Sequence, residues 1–144
     1  INPLEDLSTG GFRPVLADLD SLEPAEVDRV LLCSGKVYYD LLAYRRQQQR
    51  RDVVILRIEQ LYPFPEDDLG AALAHYPHAR RYIWVQEESL NQGAWYSTQH
   101  HIRGVLPKTA YLEHVTRPAS ASTAVGYADL HAQEQRNLVE QAFA

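Results

Sequence analysis

The sequence predicts an α/β protein of three layers, α/β/α, in which a mostly parallel sheet is covered by helices on both faces. Three observations carry this expectation. Strand-like and helix-like segments alternate along most of the chain, as they do when parallel strands are joined by crossover helices. The strand-like segments are β-branched and apolar with little alternation, which suits strands buried on both faces. No internal repeat and no linker interrupts the 144 residues. One domain over residues 1–144 is therefore expected, at a length that buries a sizeable core.

The elements follow in order. A weak first strand at residues 13–17 contains Pro14 and belongs at an edge. Residues 29–33 (RVLLC) and 52–58 (DVVILRI) are the most strand-like segments. Between them a helix is expected over residues 36–49, capped by Ser34, with Val37, Tyr38, Leu41 and Leu42 on one face. Arg45, Arg46, Arg50 and Arg51 close that helix, where cations complement its dipole, and they read as a solvated helix end. A second helix opens at Pro65, with Glu66, Asp67 and Asp68 at its positive end. Its inner positions are Leu69, Ala72, Leu73 and Tyr76. Residues 81–86 (RYIWVQ) and 109–115 (TAYLEHV) are further strands, separated by a helix over 92–103 that has Trp95, Thr98 and Ile102 on one face and stops at Gly104. A last helix over 128–143 has its apolar stripe near the end, at Leu138, Val139, Ala142 and Phe143.

Composition narrows the function. With 45% hydrophobic and 23% charged residues the chain is of the soluble globular kind. A net charge of -5 gives no electrostatic footprint for nucleic acid. No apolar run approaches a membrane span and no signal pattern opens the chain, so no membrane partner is expected. Cys33 is the single cysteine, which excludes a disulfide framework and fits a reducing compartment. The chain opens Ile1-Asn2-Pro3 and contains no methionine, so it is expected to be a piece of a longer polypeptide.

In a sheet of this kind ligands and partners meet the carboxyl ends of the strands. Four unusual segments fall there: Ser34-Gly35-Lys36, residues 59–65 (EQLYPFP), residues 86–95 (QEESLNQGAW) and Arg117-Pro118-Ala119-Ser120-Ala121. Each has a plain reading beside the functional one. Ser34-Gly35-Lys36 lacks the earlier glycine of a phosphate loop and reads first as a helix cap. Glu87 and Glu88 are adjacent, point apart, and have no nucleophile placed with them, so a cap or an interfacial ion pair is the simpler reading. His100 and His101 are adjacent rather than three or four apart, and His75 and His78 flank Pro77, so neither pair reads as a metal site. The 59–65 segment differs, because Pro63 and Pro65 bracket Phe64 and stiffen the backbone. Tyr62, Phe64, Trp95 and Tyr96 are expected to form an apolar patch there, which favours a docking face over a catalytic cleft.

The strings CSGKVYYDL (residues 33–41), RIEQLYPFP (57–65), QEESLNQGAW (86–95) and RPASASTAVGY (117–127) closely resemble the end of the decarboxylating component of the 2-oxoglutarate dehydrogenase family, in the same order and spacing from about residue 12 onward. The resemblance implies a transketolase-type C-terminal domain with a five-stranded mixed sheet and one antiparallel edge strand, the 13–17 segment. Residues 1–11 would then be an extended lead-in from an upstream domain. It also implies that the whole enzyme oxidatively decarboxylates 2-oxoglutarate and passes succinyl to a lipoyl group. Thiamine diphosphate and magnesium would be held by upstream domains, since no Gly-Asp-Gly motif with a downstream Asn occurs here.

No catalytic, cofactor-binding or metal-binding residue is therefore assigned to this chain. Its partners would be the upstream domains, a homodimer mate and dihydrolipoyl succinyltransferase, in the cytoplasm of a bacterium or the mitochondrial matrix of a eukaryote. The interface or effector candidates are Ser34, Lys36, Gln60, Phe64, Glu87, Glu88, Asn91, Gln92, Trp95 and Arg117. The alternative is a regulatory module that binds a nucleotide or acyl-CoA at Ser34 and Lys36. In an actinobacterial subset of the family acetyl-CoA acts near this domain beside a basic helix, whereas Glu66, Asp67 and Asp68 place like charge where that polyanion would lie.

Overall fold

Every residue of strand β2 (Arg29–Cys33) is buried, and so are most residues of β3 (Val53–Ile58) and the first half of β4 (Arg81–Ser89). That burial on both faces explains why these segments are uniformly apolar. The computed structural model describes residues 13–118 and 128–144. The lead-in expected over 1–11, and Ala119, Ser120 and Ala121 of the fourth edge segment, lie outside the described residues.

Among the described residues five strands form one sheet in the order β1-β3-β2-β4-β5, with β1 at Val15–Leu16 and β5 at Tyr111–Arg117. The pairs β2–β3, β2–β4 and β4–β5 are parallel. β1 is antiparallel to β3, pairing Val15 with Ile58 and Leu16 with Arg57, as the resemblance implied. Among the described residues four helices cover the sheet: α1 (Val37–Gln48), α2 (Glu66–Leu73), α3 (Trp95–Val105) and α4 (Ala128–Phe143).

The alternation of side chains along each strand divides the core in two. On one face Leu31, Cys33, Val53, Ile55, Ile83 and Val85 meet α1 and the last turns of α4. On the other, Val30, Leu32, Val54, Leu56, Tyr82 and Trp84 meet α2 and α3. The result is the three-layer arrangement predicted from alternation.

Several local expectations are corrected. Ser34 does not cap α1: Lys36 occupies the cap position without a side-chain hydrogen bond, and Gly35, at φ +81°, makes the turn. Pro65 is itself the residue before the first turn of α2, and that helix stops at Leu73, leaving Tyr76 in the turn beyond. α3 starts at Trp95 because residues 89–93 form a separate turn, closed by Gln92 and Gly93 N–H donating to the Ser89 carbonyl at 3.0 and 3.3 Å. It runs through Gly104 and ends at Val105, because Leu106 precedes Pro107 and is held extended.

Of the four arginines expected as a solvated helix end, Arg46 and Arg51 are exposed, whereas Arg45 is buried and Arg50 half-buried. Arg45 is 2% exposed and continues the inward face of Val37, Tyr38, Leu41 and Leu42. It donates to both oxygens of Asp18, to Asp20 at 2.8 Å and to the Val53 carbonyl at 3.2 Å. Asp18 also accepts the Ile55 N–H at 2.8 Å, so one buried ion pair fastens the segment after β1 to both α1 and β3. Arg50 instead reaches the end of α4, donating to the Phe143 carbonyl at 3.1 Å, and Arg29 reaches the Ala142 carbonyl at 3.2 Å. These cations satisfy carbonyls that a helix terminus leaves without partners.

Candidate functional site

The chain leaves β2 toward β3 on one side of the sheet and leaves β4 toward β5 on the other. The carboxyl ends of β2 and β4 therefore flank the switch point, where α/β sheets open a crevice. A cavity of about 400 Å³ lies there, with Ser34, Gly35, Leu61, Gln86, Glu88 and Gln92 among its lining residues.

The wall of that cavity is organised by Gln86. Its amide is buried, 3% exposed, at the point where β4 loses regular register. Oε1 accepts Trp84 Nε1–H at 2.8 Å and the Trp95 backbone N–H at 3.1 Å. Nε2 donates to the carbonyls of Ser89 at 2.7 Å and Glu88 at 3.3 Å. Two donors converging on one oxygen fix the orientation of the amide. The first N–H of α3 thus finds its acceptor in a side chain nine residues back rather than in a local cap. Gly93 lies against the same amide, so close that a methyl there would stand 2.4 Å from Nε2.

Beside the cavity a polar chain crosses four elements. Lys36 Nζ donates to Glu87 Oε1 at 2.8 Å. Gln135 of α4 donates to the same oxygen at 3.0 Å and to Asp40 at 2.7 Å. Arg117 donates to the Gln135 side-chain oxygen Oε1 and to Glu134 Oε1 at 3.3 Å. Three of the singled-out residues, Lys36, Glu87 and Arg117, are thereby brought together through Gln135. Glu87 carries an ion pair within the chain, with Lys36, rather than an interfacial one.

The 59–65 loop lies on the other side. Glu59 N–H donates to the Pro14 carbonyl at 2.7 Å, and Gln60 Nε2 donates to the Pro63 carbonyl at 2.8 Å, closing the loop across a cis Tyr62–Pro63 peptide. Phe64 is half-buried and stacks on His101 at 5.2 Å, while His101 Nδ1 lies 2.7 Å from Glu66 Oε2. The apolar patch expected of four aromatics is not formed as one surface. Trp95 is 4% exposed and packs in the core against His114, because its place at the first turn of α3 faces the sheet. Tyr62, 94% exposed, and Tyr96, 57% exposed, are the members left facing outward. Asn91 accepts the Ser89 hydroxyl at 3.0 Å and serves the turn.

Sequence reasoning passed over Gln86, Gln135 and Arg57. Arg57 lies over the rings of Tyr38 and Tyr39 at 4.9 and 5.3 Å and donates to the Tyr39 hydroxyl at 3.2 Å, next to Glu59. A polar residue closing an apolar strand run was the available signal for Gln86 and Arg57. Gln135 had none, since its partners are distant in sequence.

The edge presents hydrogen-bonding groups, one deep amide and an exposed tyrosine. Among the described residues no three His, Cys, Asp or Glu side chains gather where they could hold a metal ion. Burial pushes the Cys33 thiol well above its ordinary value, which removes it as a nucleophile. No helix among the described residues is long and apolar enough to cross a membrane.

Comparison with known proteins agrees with this architecture. Residues 2–143 match the family described as 2-oxoglutarate dehydrogenase C-terminal. The chain is 50% identical over its whole length to a protein of Haemophilus influenzae named 2-oxoglutarate dehydrogenase E1 component, of which it covers 15%. It is 51% identical to the protein of the same name from Azotobacter vinelandii, over 99% of this chain and 16% of that protein. Among solved structures, a chain described as a split-gene transketolase, inactive beta4 tetramer, superposes with a TM-score of 0.58 over 92% of this chain and 42% of its own, at 14% identity. That likeness shows the fold.

Proposed function

This chain belongs to the 2-oxoglutarate dehydrogenase C-terminal family, and on that premise we propose that it is the assembly domain of a 2-oxoglutarate dehydrogenase, docking through its carboxyl edge and doing no chemistry alone. One observation carries this reading. β1 is antiparallel to β3, so Pro14 sits at the carboxyl end of β3, bonded to Glu59 beside the loop that exposes Tyr62. The polypeptide preceding β1 therefore joins the domain at the edge that carries the switch-point cavity. The chain spans about 15% of the relatives it matches, which leaves most of such an enzyme to be met there.

The whole enzyme would decarboxylate 2-oxoglutarate oxidatively in the tricarboxylic acid cycle and hand succinyl to the lipoyl group of dihydrolipoyl succinyltransferase. It would act as a homodimer, in the cytoplasm of a bacterium. Thiamine diphosphate would supply carbanion stabilisation there. The described residues do not suit magnesium diphosphate: Glu88 is the single carboxylate lining the crevice, and no cation lines it. No step is therefore assigned to this chain. Lys36, on which an effector site would depend, pairs with Glu87 and is not among the cavity's lining residues.

The test is an assay of the 144-residue chain with 2-oxoglutarate, thiamine diphosphate and magnesium, followed by its titration with the Haemophilus influenzae relative shortened by the matching portion. No carbon dioxide release and saturable binding are expected. Turnover by the chain alone would overturn the proposal.

A further inference from the structure

At the opposite edge, where the strands begin, lies a cavity of about 750 Å³, larger than the one at the switch point. Three segments wall it: Ala25 of the 3₁₀ turn Pro24–Glu26, the turn from α2 into β4, and the turn from α3 into β5. Each wall is fixed by the backbone. Ala79 N–H donates to the Tyr76 carbonyl at 3.1 Å and Ala110 N–H to the Pro107 carbonyl at 3.0 Å. Arg80 N–H donates to the Asp28 carbonyl at 2.9 Å, and Tyr111 N–H to the Arg80 carbonyl at 3.3 Å. Pro77 and Pro107 stiffen the two longer turns. The volume is in the range of small-molecule sites, and the walls form without a ligand.

The side chains that line it share one character. Arg80 and His78 supply cationic or hydrogen-bond-donating groups, Thr109 and Tyr111 supply hydroxyls, and no carboxylate is among the lining residues. The neighbouring Arg81 is bound at both ends of its fork by Glu113, at 3.0 Å each, and Arg29 is bound by α4 carbonyls. Arg80 has no such partner among the described residues, although it follows the same turn. Tyr111 is 73% exposed beside it, on a strand whose other large apolar residues turn inward. In a chain of net charge -5, an unpaired guanidinium, an imidazole, two hydroxyls and an open aromatic face around one rigid concavity are complementary to a ring that carries an oxyanion.

We infer that this amino-edge cavity binds a small planar organic anion, with the oxyanion held between Arg80 and His78 and the ring laid on Tyr111. The anion is a phosphate monoester or a carboxylate, and the two are separated by experiment. The ¹⁵N-labelled chain is titrated with phenyl phosphate, with benzoate and with inorganic phosphate while amide resonances are followed. Saturable shifts confined to residues 77–80 and 107–111 are expected with whichever ring-bearing anion fits. Inorganic phosphate, lacking the ring, is expected to bind at least about threefold more weakly. Arg80→Gln is expected to weaken the ring-bearing anion about tenfold or more, with the rest of the spectrum unchanged because that side chain bonds nothing among the described residues. Arg51→Gln, in the control protein, should leave binding as it was. Absence of shifts there with both ring-bearing anions, or equal affinity in the Arg80→Gln protein, overturns the inference.

Discussion

Gly93 and Gln86 lie in contact: a Cβ added at Gly93 would stand 2.4 Å from Gln86 Nε2 and 2.5 Å from its carbonyl oxygen. The amide cannot step aside cheaply, because four hydrogen bonds to Trp84, Trp95, Ser89 and Glu88 hold it. Gly93→Ala is therefore expected to cost about 1–3 kcal/mol by overpacking. Gln86→Leu is expected to cost a similar ~2 kcal/mol by stranding the Trp84 and Trp95 N–H groups. Urea denaturation of each variant checks both figures, and wild-type stability in Gly93→Ala would show that the loop has room the structure does not give it.

The Arg45–Asp18 pair makes a second expectation. Both side chains are almost fully buried, at 2% and 1% exposure, so removing one strands the other's charge. Arg45→Met is expected to lose about 3–5 kcal/mol. Adding Asp18→Leu should return part of that loss, not all, since the Ile55 N–H then loses its acceptor. A double-mutant cycle should give a coupling of about 1–3 kcal/mol; additive losses would mean that the two residues act separately.

Acid should weaken the same corner. Arg46 foremost, and Arg45 with it, hold the Asp20 carboxyl down from 3.8 to about 2. A carboxylate depressed in the fold stabilises it above its unfolded value, and that contribution is lost as pH falls from near 3.8 toward 2. Asp52 beside Arg50 and Glu113 beside Arg81 are lowered as well and act with the same sign. With Asp20 partly open to solvent, its share is about 1 kcal/mol after screening. Denaturation midpoints at pH 6 and pH 3 should differ less in Arg46→Gln than in the unaltered chain.

Gln135 and Lys36 meet at Glu87 and should nevertheless differ. Lys36 is 79% exposed, and its ion pair is expected to contribute less than about 1 kcal/mol. Gln135 joins Asp40, Glu87 and Arg117 across α1, β4 and β5. Gln135→Ala should speed amide exchange in the first turns of α4 while Lys36→Ala leaves it unchanged, which hydrogen-exchange mass spectrometry reads directly.

What could be read in the sequence, and what could not, divides along the range of the interactions. The strands were legible because β2, β3 and β4 are buried on both faces and so carry uninterrupted apolar runs. α4 was placed at its full Ala128–Phe143 extent, through the stripe Leu138, Val139, Ala142 and Phe143 that seats it. The carboxyl edge was located because topology alone sends the segments after β2, β3 and β4 there, with Arg117 and Pro118 of the fourth. Arg45 was misread because its charge outweighed its position, although its spacing from Tyr38, Leu41 and Leu42 puts it on the buried face. The decisive partner, Asp18, is 27 residues away. Trp95 was misassigned to the surface for a related reason: the acceptor for its N–H is the Gln86 side chain, which delays α3 until Trp95 has turned toward the sheet.

The claim that the carboxyl edge is the docking face is tested most directly by hydroxyl-radical footprinting of the chain, alone and bound to the shortened Haemophilus influenzae relative. Protection is expected at Tyr62, Phe64 and the 88–94 turn, with Tyr111 at the amino edge still reactive. Protection of Tyr111 with Tyr62 left as reactive as in the free chain would contradict the account.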